Sequence, residues 1–200
     1  MPARERTTPE AIIAAGRALV EEGGAAALTM QAVAVRVGVR APSLYKRVRD
    51  RDALVRHVVE ATVAELTDRL ERAGARAAHD PRRALELMAR EVRALAHESP
   101  GCFGLLVSPL PPTQRPAQQL IDRSGAPLLE AAARLVGSAH ALEAARTLTA
   151  WANGFLSMEI AGAFRLGGDV DAAYDWGLGT LLDALAADRD PVTGAAGSAT

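Results

Sequence analysis

Aromatic residues are scarce in this chain of 200 residues: seven in all, six of them between Phe103 and Trp176. The seventh, Tyr45, therefore has no aromatic partner near it in sequence, and its place inside RVGVRAPSLYKRVRDRDAL needs another reason. Cysteine is limited to Cys102, which excludes an internal disulfide and fits a reducing compartment. Long apolar runs are missing too. Arg, Glu or Asp interrupt every one, so nothing approaches the roughly 20 apolar residues that span a bilayer. The opening MPARERTTPE has no apolar segment, which argues against a secretory signal and leads us to expect a cytoplasmic protein without a membrane partner. Sustained alternation of β-branched and polar residues does not occur either, and no repeat appears at a period of roughly 20 to 50 residues.

What is present is Ala, Leu, Arg and Glu at helical spacing, with 49% hydrophobic and 24% charged residues. The expected fold is all-α. Net charge is −1, but it is unevenly spread. Up to Arg56 there are ten basic and six acidic residues, a surplus of four, so the remainder carries −5. A basic end on an acidic body is the asymmetry expected when that end faces a polyanion, although chance scatter of surface charge produces it as well.

Local chemistry sets the element boundaries. Thr8 caps a first helix with Pro9 at its first position, and Gly23-Gly24 stops it. Thr29 caps a short helix that places Met30, Val33, Ala34 and Val37 inward until Gly38. Another runs from Pro42 to about Val48. Asp50 caps a long helix carrying Leu54, Val55, Val58, Val59, Thr62, Val63, Leu66 and Leu70, loosened at Gly74. Pro81 opens a helix with Leu85, Met88, Val92 and Leu95 on one stripe. Six of the eleven prolines fall from Pro100 to Pro127, which predicts short helices and turns there. Helices over about 139–166 and 170–187 follow, divided by Gly167-Gly168, and the tail frays. The expected organisation is a three-helix helix-turn-helix domain over 1–53, a larger helical regulatory and dimerisation domain over 54–188, and a flexible tail over 189–200.

Residues 29–48 have the spacing of a helix-turn-helix, whose second helix enters a major groove about 12 Å wide. Leu44 and Val48, four apart, face the small core. Ala41 and Pro42 are slight enough to approach a thymine methyl, and Ser43 donates to a base or a phosphate. Arg40 suits guanine or phosphate in bidentate fashion. Tyr45 offers a ring to a sugar or thymine and a hydroxyl to a phosphate; Lys46, Arg47 and Arg51 neutralise backbone charge, steepening salt dependence. Gln31 reaches toward an adenine edge, and Thr29 toward a phosphate. The plainer alternative is that Tyr45 closes a three-helix core and the arginines form a solvated face.

VGVRAPSLYKRVRDRDALV resembles the recognition helix and following helix start of the TetR family of transcriptional regulators, and LTMQAVAVRVG resembles the helix before them. The likeness covers about forty residues, from Ala11 through Leu54. It implies that Thr29, Gln31, Pro42, Ser43, Tyr45, Lys46, Arg47 and Arg51 occupy operator-contacting positions. Arg47 stands where histidine is common, and Arg40 where a small or acidic residue is usual. Further on, TAWANGFLSMEIAGAF and YDWGLGTLLDAL resemble the regulatory domain of a TetR subgroup named for Trp, His and Gly, with Asn153 at the histidine. A ligand-responsive repressor is implied, binding a palindromic operator as a homodimer and released by a small, largely apolar effector.

The 139–166 helix has apolar residues on two faces, enough to be buried or to leave one face for a partner. By family analogy the last two helices form the dimer interface, with Gly154, Gly162, Gly177 and Gly179 allowing close approach and Trp176 and Leu182 contributing. Two recognition helices about 34–36 Å apart then match successive grooves. An effector pocket is expected from Met88, Val92, Phe103, Leu106, Leu110, Trp151, Phe155 and Met158, with His97, Asn153 or Glu159 as polar handles; the same pattern also describes plain core. Competing readings are a helical interaction module without specific DNA binding and a small all-α enzyme. Against the latter, His57, His79, His97 and His140 are scattered, Cys102 and His97 lack zinc spacing, and no Walker, GxGxxG or GxSxG motif occurs. No catalytic residue, cofactor or metal is expected.

Overall fold

The computed structural model describes residues 8–187; the expected tail over 189–200 and the extreme N-terminus lie outside them. Among the described residues the fold is all-α: α1 Pro9–Ala27, α2 Met30–Arg36, α3 Ala41–Tyr45, α4 Arg51–Arg76, α5 Pro81–Glu98, α6 Pro100–Val107, α7 Gln118–Val136, α8 Ala141–Ile160 and α9 Val170–Ala187, with a 3₁₀ turn at Pro112–Gln114.

The caps act where their chemistry places them. Thr8, Thr29, Asp50 and Asp80 accept from the backbone N–H groups of Ala11, Ala32, Ala53 and Arg83 at 2.8–3.2 Å. Gly23 and Gly24 break α1's helical backbone, Gly24 at φ +69°, before one last turn to Ala27. Two expectations need correction. α8 stops at Ile160 rather than near 166, because Gly162 takes φ +61° and the Ala163 N–H reaches back to the Met158 carbonyl. α7, absent from the sequence reading, runs straight through Pro127. That proline removes one intrahelical bond, which the burial of Ala131, Ala132, Leu135 and Val136 further along α7 offsets.

Two cores meet along α4. The first is aliphatic: Ile12, Val20, Leu28, Val33, Leu44 and Val48 with Leu54 to Val63 of α4 and Cys102 and Leu105 of α6. The second gathers Leu70, Leu85, Met88, Phe103, Leu148, Leu156, Tyr174, Leu178 and Leu182. The buried Thr62 and Thr67 hydroxyls donate to carbonyls four residues back, so neither α4 threonine is a polar orphan. An Arg17–Glu65–Arg69–Glu98 chain of ion pairs, 2.5–2.6 Å per link, ties α1, α4 and α5.

α6 belongs to both cores. Its opening turn is docked on α1: Glu21 accepts from the Gly101 and Cys102 N–H groups at 2.8 and 2.9 Å, placing a carboxylate at a helix N-terminus. A Cβ on Gly101 would lie 2.6 Å from the Val20 carbonyl oxygen, so only glycine permits this approach. Burial and then Glu21 push the Cys102 thiol up to about 11, which keeps it neutral.

Candidate functional site

α2 and α3 are both short, and what holds them is the core beneath. Leu44 is fully buried and Val48 nearly so, while Ser43 N–H bonds the Arg40 carbonyl and the Arg47 and Val48 N–H groups bond the Leu44 carbonyl. With those side chains turned in, the rest of the segment turns out: Arg40, Pro42, Ser43, Tyr45, Lys46 and Arg47 are exposed, and Ala41 is half-buried. Tyr45 is 54% exposed, which rules out its closing the three-helix core. Gln31 is exposed on α2; Thr29, also exposed, spends its oxygen on the α2 cap and keeps its O–H to donate.

The neighbouring arginines divide by partner. Arg36 pairs with Glu22 at 2.6 Å and Arg49 with Asp50 at 2.7 Å, whereas among the described residues Arg40, Lys46 and Arg47 have no carboxylate within bridging distance. Arg51, expected as a phosphate contact, also holds backbone groups of its own chain. Its guanidinium donates to the Leu28 carbonyl at 2.9 Å and the Ala25 carbonyl at 2.6 Å, stapling the end of α1 to the start of α4.

Within the second core a cavity of about 260 Å³ opens among α4 to α9. Met88, Val92, Phe103, Leu106, Trp151 and Asn153 line it, as the sequence suggested. His97, Phe155, Met158, Glu159 and Leu110 do not. Exposed His97 and largely buried Glu159 lie together outside this cavity, the His97 Nε2 3.3 Å from a Glu159 carboxylate that Arg93 also holds, and the same Arg93 nitrogen binds Asp171. Burial raises the Glu159 pKa, but hydrogen bonds from Arg93 and His97 outweigh it and hold the carboxyl below its usual range. Met158 is exposed. Phe155 is taken up by an aromatic cluster, with ring centroids 5.6 Å from Trp151, 4.8 Å from Phe164 and 5.2 Å from Tyr174. The Arg93 guanidinium sits 4.7 Å above the Tyr174 ring, and the Tyr174 hydroxyl donates to the Ala89 carbonyl at 2.8 Å.

Sequence reasoning missed much of the wall: Val63, Leu66, Leu70, Ser124, Gly125 and Thr149 line the cavity as well. One available signal was Thr149 and Asn153, two uncharged polar residues four apart and therefore on one face of α8.

The outer sides of α8 and α9 and the turn between them expose Leu142, Met158, Ile160, Phe164, Leu166 and Trp176, the last at 75%. Gly154 and Gly179 have open space where a side chain would be. Two residues expected in a dimer interface have other places. Leu182 is fully buried inside its own subunit, and Gly177 makes room for Trp151, whose ring a Cβ would meet at 2.9 Å. Gly162 lies past the end of α8, exposed and with open space where a side chain would be.

Residues 12–58 match the family model described as bacterial regulatory proteins, tetR family, and residues 85–181 match the tetracyclin repressor-like C-terminal domain. The chain belongs to the TetR family. Solved structures superpose on this TetR-family chain over most of its length. The regulatory protein SCO4313 does so with a TM-score of 0.74 at 26% identity, over 92% of this chain and 99% of that one. A variant of TetR from Acinetobacter baumannii AYE, in complex with minocycline, gives 0.70 at 23%, covering 91% and 98%. BioQ of Mycobacterium smegmatis gives 0.67 at 22%, covering 90% and 99%. No relative is found among curated proteins. As a TetR-family member the chain is a DNA-binding transcriptional regulator whose helix-turn-helix is α2 and α3. No catalytic family is indicated, and no described helix is long and apolar enough to cross a membrane.

Proposed function

We propose that this chain represses transcription in the cytoplasm, as a homodimer on a palindromic operator, and that a small, largely apolar molecule entering the cavity releases it. Residues 1–53 carry the DNA contacts and 54–188 the effector and dimer surfaces. The observation carrying the DNA half is the split across α3 and the turn that follows it: Leu44 and Val48 are buried, while Tyr45, Lys46 and Arg47 are exposed, with no carboxylate within bridging distance of Lys46 or Arg47 among the described residues. Lys46 and Arg47 grip phosphate, Tyr45 presses on the backbone, and Arg40 to Ser43 with Gln31 read bases from a first turn short enough to enter the groove. Thr29 donates its O–H to a phosphate.

The dimer half is supported by the apolar residues left uncovered on α8 and α9, including Trp176 and Met158, with Gly154 and Gly179 allowing helices to approach. Release is supported by α6. Phe103, Leu106 and Val107 line the cavity, while Cys102 and Leu105 on the same two turns sit in the helix-turn-helix core. A ligand that displaces α6 thereby shifts α1 and the spacing of the recognition helices, a shift between two dimer populations.

Enriching bound fragments from random duplex DNA tests the reading. A palindrome with half-sites about one helical turn apart is expected. Failure to retain any duplex at low salt refutes it and favours a protein-interaction module.

A further inference from the structure

The cavity is graded from floor to mouth. Its deepest lining residues, Val63, Leu85, Met88 and Phe103, are buried and apolar. At the other end, Ile121, Gly125 and Thr149 line it while exposed to solvent, so it opens between α7 and α8. Every polar side chain in the lining, Ser124, Thr149 and Asn153, belongs to these two helices. Among the described residues, no charged side chain lines the cavity.

The polar groups differ in what they have left to offer. Ser124 donates its hydroxyl hydrogen to the Ile121 carbonyl at 2.8 Å and retains only acceptor capacity. Asn153 makes no hydrogen bond to the described residues and is half-buried, so its carboxamide presents a donor and an acceptor together. Thr149 stands one turn away on the same face of α8, about 5–6 Å off.

We infer that the ligand is an uncharged amphiphile: an apolar tail that enters first and reaches Phe103 and Met88, and a neutral head group carrying both donor and acceptor that stays at the mouth on Asn153 and Thr149. This deepens the effector reading proposed above and rests on it. Beside the half-buried Asn153 an ionic head would lose part of its hydration to a lining that supplies no countercharge, whereas an amide or hydroxyl exchanges water for the Asn153 carboxamide. The volume, about 260 Å³, lies just under the roughly 300 Å³ at which drug-sized sites begin, so the ligand is small. Gly125 lies at the mouth. It lies within α7 without a positive φ, and a Cβ there meets nothing within 4 Å, so a larger side chain at this position projects into free space.

Four probes that share an eight-carbon chain separate head-group chemistry from tail burial: octanamide, octan-1-ol, octanoate and octylammonium. Binding to the full-length chain is measured by calorimetry, and operator affinity on the same samples. The neutral pair is expected to bind at least about tenfold more tightly than the charged pair. Asn153→Leu is expected to lower octanamide affinity about tenfold, and Gly125→Leu to lower that of all probes, with the thermal midpoint of the unliganded protein not lowered by either. Should Gly125→Leu not fold, Asn153→Leu carries the test alone. Equal or tighter binding of octanoate or octylammonium overturns the inference, as does binding of none of the four, or wild-type octanamide affinity in Asn153→Leu. Neutral probes that bind without changing operator affinity uphold this ligand chemistry and refute release; a charged probe that binds more tightly and frees the DNA does the reverse.

Discussion

The two tyrosines of this chain are treated oppositely by the fold. Tyr174 is fully buried among Trp151 and Phe155, with Arg93 over its ring and its hydroxyl bonded to Ala89. Burial pushes its phenol up to about 12, so it remains a donor. Tyr45 lies more than half exposed beside Lys46 and Arg47, above a core whose buried members include no aromatic residue. The same side chain therefore serves packing in one region and a surface in the other. In the first core, leaving the tyrosine outside means that its ring is available to something other than the protein.

Substitutions that exchange these roles should separate cleanly. The largest effect is expected from Tyr174→Ala, which leaves a cavity in the aromatic cluster and a carbonyl without its donor; roughly 3–5 kcal/mol of stability should be lost in denaturant unfolding. A loss below about 0.5 kcal/mol would mean that the aromatic cluster contributes little to holding the second core together. A smaller effect follows from Arg51→Ala. The staple to Leu28 and Ala25 predicts a loss of about 1–2 kcal/mol in stability, with the slope of log affinity for DNA against log salt unchanged. A slope shallower by about one, with stability intact, would return Arg51 to the phosphate-binding set.

How far these places could be read in advance depends on the range of the interaction. Helix starts at Thr8, Thr29, Asp50 and Asp80 are set by residues three apart in sequence, and the exposed face of α3 follows from two core residues four apart. Arg51 looked like a free cation because its carbonyl partners lie 23 and 26 residues away. Leu182, His97 and Glu159 were misplaced for a related reason: periodicity marks an apolar or polar face but not which helix covers it. α7 was hidden by Pro127 and Gly125, which ordinarily punctuate a chain; packing of its later turns outweighs the lost hydrogen bond. The cavity was half legible, since Met88, Phe103 and Trp151 showed as apolar surplus while Ser124, Gly125 and Thr149 sat in segments read as turn or face.

The measurement that bears most directly on the assignment of α3 is Tyr45→Ala, assayed twice on one preparation: thermal unfolding, and affinity for the enriched palindrome at fixed salt. Affinity should fall about tenfold with stability changed by less than about 0.5 kcal/mol, because an exposed ring is removed from a surface and not from a core. Unchanged affinity, or an affinity loss that merely tracks a loss of folded protein, would contradict the assignment.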